Sequence, residues 1–143
     1  MFNLFKKKKE KQIIISCDTD RIKVNDLELT FPTSRYQLMK IFGTPTRELS
    51  KSNNYMLWDG IGVFCGYSDK DHILSINVYQ NKEDETEYNT KKQFKGKLIL
   101  GEDEITNSEF VKIALGDVAI HRLGSENEIR YGFSLGSNKD FKH

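Results

Sequence analysis

The stretch Leu27-Glu28-Leu29-Thr30-Phe31-Pro32-Thr33-Ser34-Arg35-Tyr36-Gln37-Leu38-Met39-Lys40-Ile41-Phe42-Gly43-Thr44-Pro45 decides how the chain is read. Its first five residues alternate apolar and polar, the pattern of a half-buried strand. Pro32 removes a backbone donor and ends that strand. Thr33 or Ser34 then offers a hydroxyl to the orphan N–H groups of a helix start. Tyr36, Leu38, Met39, Ile41 and Phe42 give the helix its apolar surface, and Gly43 with Pro45 stops it.

On the N-terminal side, Ile13 to Cys17 reads as a short buried strand. Ile22-Lys23-Val24 pairs with Leu27 to Phe31 across Asn25-Asp26, whose side chains tolerate the positive φ of a two-residue hairpin loop. On the C-terminal side the pattern predicts an antiparallel meander. Its strands are Thr46 to Ser50, Tyr55 to Trp58, Ile61 to Tyr67 and His72 to Tyr79, with Asp59-Gly60 as the strongest turn signal. Residues 80–95 are polar and poor in aliphatics, and read as an exposed connection.

The pattern then begins again. Lys97 to Leu100, the turn Gly101-Glu102 and Asp103 to Ile105 form a second hairpin. A second helix is predicted to start at Thr106, Asn107 or Ser108, to carry Phe110, Val111, Ala114 and Leu115, and to stop at Gly116. Val118 to Leu123 and Glu128 to Leu135 follow as strands. Three pairs, Gly43 with Gly116, Trp58 with Tyr131 and Phe42 with Leu115, share an offset of 73 residues. The expected fold is therefore α+β. It consists of two degenerate repeats of hairpin, helix and meander (about 22–79 and about 96–135), with helices packed on antiparallel sheet. Residues 1–12 are expected to form a basic tail and residues 13–143 a single domain.

The 143 residues carry a formal net charge of +1, with 22 Lys plus Arg against 21 Asp plus Glu. The balance is uneven: residues 1–12 hold five lysines against Glu10, a net of +4, which leaves −3 for residues 13–143. A domain that binds nucleic acid chiefly through phosphates carries a basic excess, so nucleic acid is not an expected partner. Met1 to Phe5 precede Lys6 to Lys9, the reverse of a secretory signal's order. No apolar run reaches the roughly 18 residues of a spanning helix. Cytoplasmic localisation is expected, without stable membrane insertion. Weak contact of the tail with an anionic surface stands beside a purely solubilising role.

Residue chemistry names no reaction, and no cofactor or metal is expected. His72, His121 and His143 show no metal-ligand spacing. Cys17 and Cys65 belong to no Cys-x-x-Cys pair. Cys65 with His72 is the one nucleophile–base pair close in sequence, but Val63, Phe64 and Tyr67 around Cys65 suppress a thiolate. Gly60-Ile61-Gly62 lacks the third glycine and the Lys-Ser/Thr pair of a phosphate loop. The carboxylates Glu83, Asp84, Glu85 and Glu87 read either as a solvated loop or as an acidic surface for a basic partner. Trp58 reads either as a core residue or as an anchor for a partner.

Leu27 to Phe31, Pro32-Thr33, the helix to Gly43-Thr44-Pro45, and Tyr55-x-x-Trp58-Asp59-x-x-Gly62-Val63 together resemble small bacterial proteins of the polymorphic-toxin immunity type. The helix-then-meander unit is also loosely similar to beta-lactamase inhibitor protein and to small outer-membrane assembly lipoproteins. Gly116-Asp117-Val118 lacks their proline, and no lipobox cysteine lies near the start. The resemblance implies a non-catalytic protein that blocks one cognate toxin, with a basic binding face, by covering its active site. The expected contacts are Trp58, Asp59, Tyr67, Asp69, Glu83, Asp84, Glu85 and Tyr88. The alternatives are a membrane-surface adaptor docked through the tail, or a small enzyme using Cys65 and His72.

Overall fold

The computed structural model describes residues 12–18, 21–50, 54–80, 90–106, 112–123 and 132–137. Within them the chain is mostly β. Two sheets hold nearly all of it, with a single short helix among the described residues.

The five-stranded sheet contains β1 (Ile14–Cys17), β2 (Ile22–Val24), β3 (Leu27–Leu29), β8 (Lys97–Leu100) and β9 (Asp103–Glu104), in the order β3-β2-β1-β8-β9. β2 and β3 are the expected hairpin, and Asn25 at its turn has φ 55°. β8 and β9 form the second hairpin, with Gly101 at φ 64°. β1 joins the two hairpins: it runs antiparallel to β2 and parallel to β8.

The seven-stranded sheet has the order β10-β11-β12-β7-β6-β5-β4. β4 (Arg47–Ser50), β5 (Asn54–Trp58), β6 (Val63–Tyr67) and β7 (Ser75–Tyr79) are the expected meander, each antiparallel to the next. β12 (Gly132–Ser137) pairs with both β7 and β11 (Val118–Leu123), while β10 (Lys112–Leu115) extends the far edge. Close approach at β12 depends on glycine: a Cβ on Gly132 would lie 1.8 Å from the Val78 carbonyl oxygen.

The helix α1 (Arg35–Phe42) sits between β3 and β4, where the pattern places it. Ser34 Oγ accepts from the Gln37 N–H, and Gly43, at φ 88°, donates its N–H to the Met39 carbonyl. The inner faces of both sheets and the helix share one buried cluster. Ile15, Ile22, Val24 and Leu98 come from the first sheet, Met56, Val63, Ile76, Val78, Phe133 and Leu135 from the second, and Leu38 from α1. The two-residue period of each strand sends these side chains to one side.

The α+β expectation with helices packed on a sheet is overturned, and so is the internal repeat. Where the second helix was expected, Lys112–Leu115 is a strand paired with β11, in the register Leu115↔Val118. Gly116, at φ 56°, is the turn of that hairpin rather than a helix stop. Lys112, Ala114 and Leu115 have good helix propensity, but pairing along the edge of β11 outweighs a preference of a few tenths of a kcal/mol per residue. Gly43 and Gly116 thus do different jobs, and so do Phe42 in a helix and Leu115 in a strand. Tyr131, the third partner at that offset, lies outside the described residues.

Candidate functional site

Of the expected contact residues, two belong to the interior. Trp58 is 3% exposed. Its Nε1–H donates to the Gly43 carbonyl at 2.8 Å and its ring centroid lies 5.4 Å from that of Phe42. The indole therefore pins the end of α1 to β5. Asp59 is 5% exposed and works as a bracket. Its two carboxylate oxygens accept from Arg47 Nε at 2.7 Å and Nη2 at 3.0 Å, and Oδ1 also accepts the Lys91 N–H at 3.0 Å. The Asp59 N–H donates to Thr46 Oγ1, and its carbonyl accepts from the Lys92 N–H. Hydrogen bonding to Arg47 is the main cause that holds this carboxyl below its ordinary value.

Tyr67 and Asp69 are brought together elsewhere. They line an open recess of about 710 Å³ with Arg35, Glu48, Asn54 and Lys70. Four structural connections build it. Arg35 opens α1, and its N–H donates to the Lys70 carbonyl at 2.8 Å. Its guanidinium reaches Glu48 on β4 in a two-pronged pair, at 2.9 and 2.7 Å. Asp69 Oδ1 accepts the Asp71 N–H, which tightens the turn after β6. Thr33 and Ile73 exchange both backbone hydrogen bonds and lock that turn beside the helix start. Partial burial, then the Glu48 charge, raise the Tyr67 hydroxyl above its usual value. The Arg35 hydrogen bond lowers the Glu48 carboxyl.

One residue after Arg35, α1 exposes Tyr36, which is 68% accessible. Lys40 Nζ sits 5.3 Å from its ring centroid, the spacing of an i,i+4 cation–π pair. The apolar pattern of residues 36–42 places Tyr36 on the buried helix surface and gives Arg35 and Glu48 no role. At about 100° per residue, Tyr36 and Leu38 are roughly 200° apart, so burying Leu38 turns Tyr36 outward. That signal was available in the pattern. No sequence signal links Arg35 to Glu48, which meet only in the folded chain. Glu83, Asp84, Glu85 and Tyr88 lie outside the described residues, as does the lysine-rich tail through Lys11.

The groups named for chemistry differ in exposure. Cys65 is fully buried and His72 is exposed. Burial pushes the Cys17 and Cys65 thiols up to about 12, so neither is a thiolate near neutral pH. Among the described residues, no group of three or more His, Cys, Asp or Glu side chains is placed to hold a metal ion. No helix among them is long and apolar enough to cross a membrane. The recess combines two cations, two carboxylates and a tyrosine on a firm scaffold, which suits recognition of a polar surface by hydrogen bonds and paired charges.

Residues 14–115 match the family model described as a domain of unknown function, DUF7738. No curated protein and no solved structure matches the chain.

Proposed function

The chain belongs to the DUF7738 family. We propose that it is a stoichiometric protein-binding module that neutralises a cognate toxin, as immunity proteins do. The observation that carries the reading is Tyr36, a large aromatic held exposed on α1 one residue after Arg35, which lines the recess with Glu48, Tyr67 and Asp69. Tyrosine and arginine are the side chains that concentrate binding energy at protein interfaces, because they bury much area and keep a polar tip. The net charge of −3 on residues 13–143 favours a partner with a basic face, chiefly through association rate and specificity. The role needs no reactive side chain, since the module acts by covering the partner's working surface.

The test is co-expression with the product of the adjacent gene. Growth rescue and a co-purifying complex are expected. Tyr36→Ala and Tyr67→Ala should each weaken the complex by about 30-fold, the size of one interface hot spot. The far-ultraviolet circular dichroism should stay unchanged. Neither rescue nor complex, or full affinity in the Tyr36→Ala/Tyr67→Ala double variant, overturns the reading.

A further inference from the structure

Residues of both sheets line a cavity of about 400 Å³. Each sheet contributes a cross-strand pair: Ile22 opposite Leu29 across β2 and β3, and Val118 opposite Ser137 across β11 and β12. All four residues are buried. A side wall is the run Thr30 to Pro32, which leaves β3. Backbone hydrogen bonds hold this frame. Thr33 and Ile73 exchange theirs at 2.8 and 2.7 Å, which sets His72 beside that wall, and the Ser137 N–H donates to the Leu74 carbonyl. The cavity is therefore built before any ligand arrives. It shares no lining residue with the Arg35–Glu48 recess.

Arg21, His72 and Asp117 also line the cavity, and each is exposed, so charge of both signs stands at its mouth. Arg21 directly precedes β2 and Asp117 directly precedes β11, so each sheet brings one charge to the opening. The Asp117 carboxylate and the His72 ring have no hydrogen-bond or ion-pair partner among the described residues. Arg21 carries five N–H donors in a planar fork suited to a carboxylate. The volume lies at the low end of the roughly 300–1,000 Å³ of ligand sites, which commonly combine an apolar lining with a few polar groups.

We propose that this cavity binds a free α-amino acid with a large apolar side chain. That side chain rests on Ile22, Leu29 and Val118, the α-carboxylate takes the Arg21 fork with His72 as a further donor, and the α-ammonium takes Asp117. The two signs of charge decide the class. A plain apolar acid sets its carboxylate against Asp117, and a plain amine sets its ammonium against Arg21; like charges so placed cost affinity. An internal residue of a peptide carries neither charge, and a peptide terminus carries only one. The inference is independent of the toxin-binding role.

Isothermal titration calorimetry of the full chain with L-phenylalanine tests it. Saturable binding of one molecule per chain is expected. Phenylacetate, which lacks the ammonium, and phenethylamine, which lacks the carboxylate, should each bind at least about 10-fold more weakly, the loss of one charged hydrogen bond. Glycine, without the apolar side chain, should give no measurable binding. Asp117→Asn should weaken phenylalanine by about 10-fold and leave phenylacetate no weaker, while Arg21→Gln should weaken both alike. Both positions are exposed, and circular dichroism checks that the variants keep their fold. No saturable binding of phenylalanine up to about 10 mM overturns the site. Phenylacetate binding as tightly as phenylalanine, or full phenylalanine affinity in Asp117→Asn, overturns the amino-acid assignment.

Discussion

Asp59 is the most informative residue to perturb. It closes β4, the turn after β5 and the segment at residues 91–92 with one carboxylate and its own backbone. The side chain is 7% exposed and that of Arg47 27%. Asp59→Asn preserves shape and one neutral acceptor, but removes the Asp59 charge that the Arg47 guanidinium grips with two hydrogen bonds. Breaking a buried pair costs about 3–5 kcal/mol. Because Arg47 keeps some access to water, about 2–4 kcal/mol is the expected loss here. In urea that corresponds to a midpoint lower by about 1–2 M. The sole tryptophan, Trp58, buried one residue away, supplies the fluorescence signal.

The pH dependence follows from the sign of the shift. Arg47 holds the Asp59 carboxyl low, so its stabilisation is complete above the unfolded-state value near 4 and fades as pH falls through the folded-state value. The stability gap between wild type and Asp59→Asn should thus be level from about pH 7 to 5 and shrink below about 4. A double-mutant cycle with Arg47→Ala isolates the pair, with an expected coupling of about 1.5–3 kcal/mol. A coupling under about 0.5 kcal/mol, or a gap that widens toward acid, would refute the reasoning.

Three further outcomes follow from single contacts. Gly62 has φ 73°, and a Cβ there would lie 2.2 Å from the Phe94 backbone nitrogen. Gly62→Ala should therefore lower stability by at least about 2 kcal/mol, while Gly60→Ala, with open space around its Cβ, should change it little; equal urea midpoints for the two variants would contradict this. Ser34→Ala removes the cap on the Gln37 N–H and should cost about 1 kcal/mol, read from thermal unfolding; an unchanged Tm counts against the cap. Cys17 and Cys65 should react with a disulfide reagent at pH 7.5 only as fast as the chain opens, so prompt labelling of either thiol in the native protein would show that the burial is wrong.

Much of the first half was legible because local rules there agree with tertiary contacts. Asn25-Asp26 makes its hairpin, Ser34 caps and Gly43 stops the helix, and Asp59-Gly60 turns the meander. The second half failed where local rules conflict. Ile113, Ala114 and Leu115 fit either a helix face or a strand, and a glycine after them ends a helix as readily as it turns a hairpin. β11 decided between them, and no local signal carries that choice. The parallel contact of β1 with β8 was equally invisible, because period-two patterning says nothing of which strand lies alongside. At the candidate site, the type of residue was readable and its placement was not. Trp58 and Asp59 have the composition of an interface but face inward, while Arg35 and Glu48, 13 residues apart, pair only in the folded chain.

The parallel pairing of β1 with β8 also has a consequence for how the chain is made. β1 is complete at residue 17, and its parallel neighbour begins at residue 97. At about 5–20 residues per second, synthesis leaves an interval on the order of ten seconds between them. Throughout it, the apolar run Ile13-Ile14-Ile15 waits with one backbone edge unclaimed. Such an edge is a template for pairing with another nascent chain. The lysines at positions 6–9 and 11 stand directly before it, and flanking charge of this kind discourages intermolecular pairing. The timing of synthesis thus gives the N-terminal charge a use before the protein has folded at all.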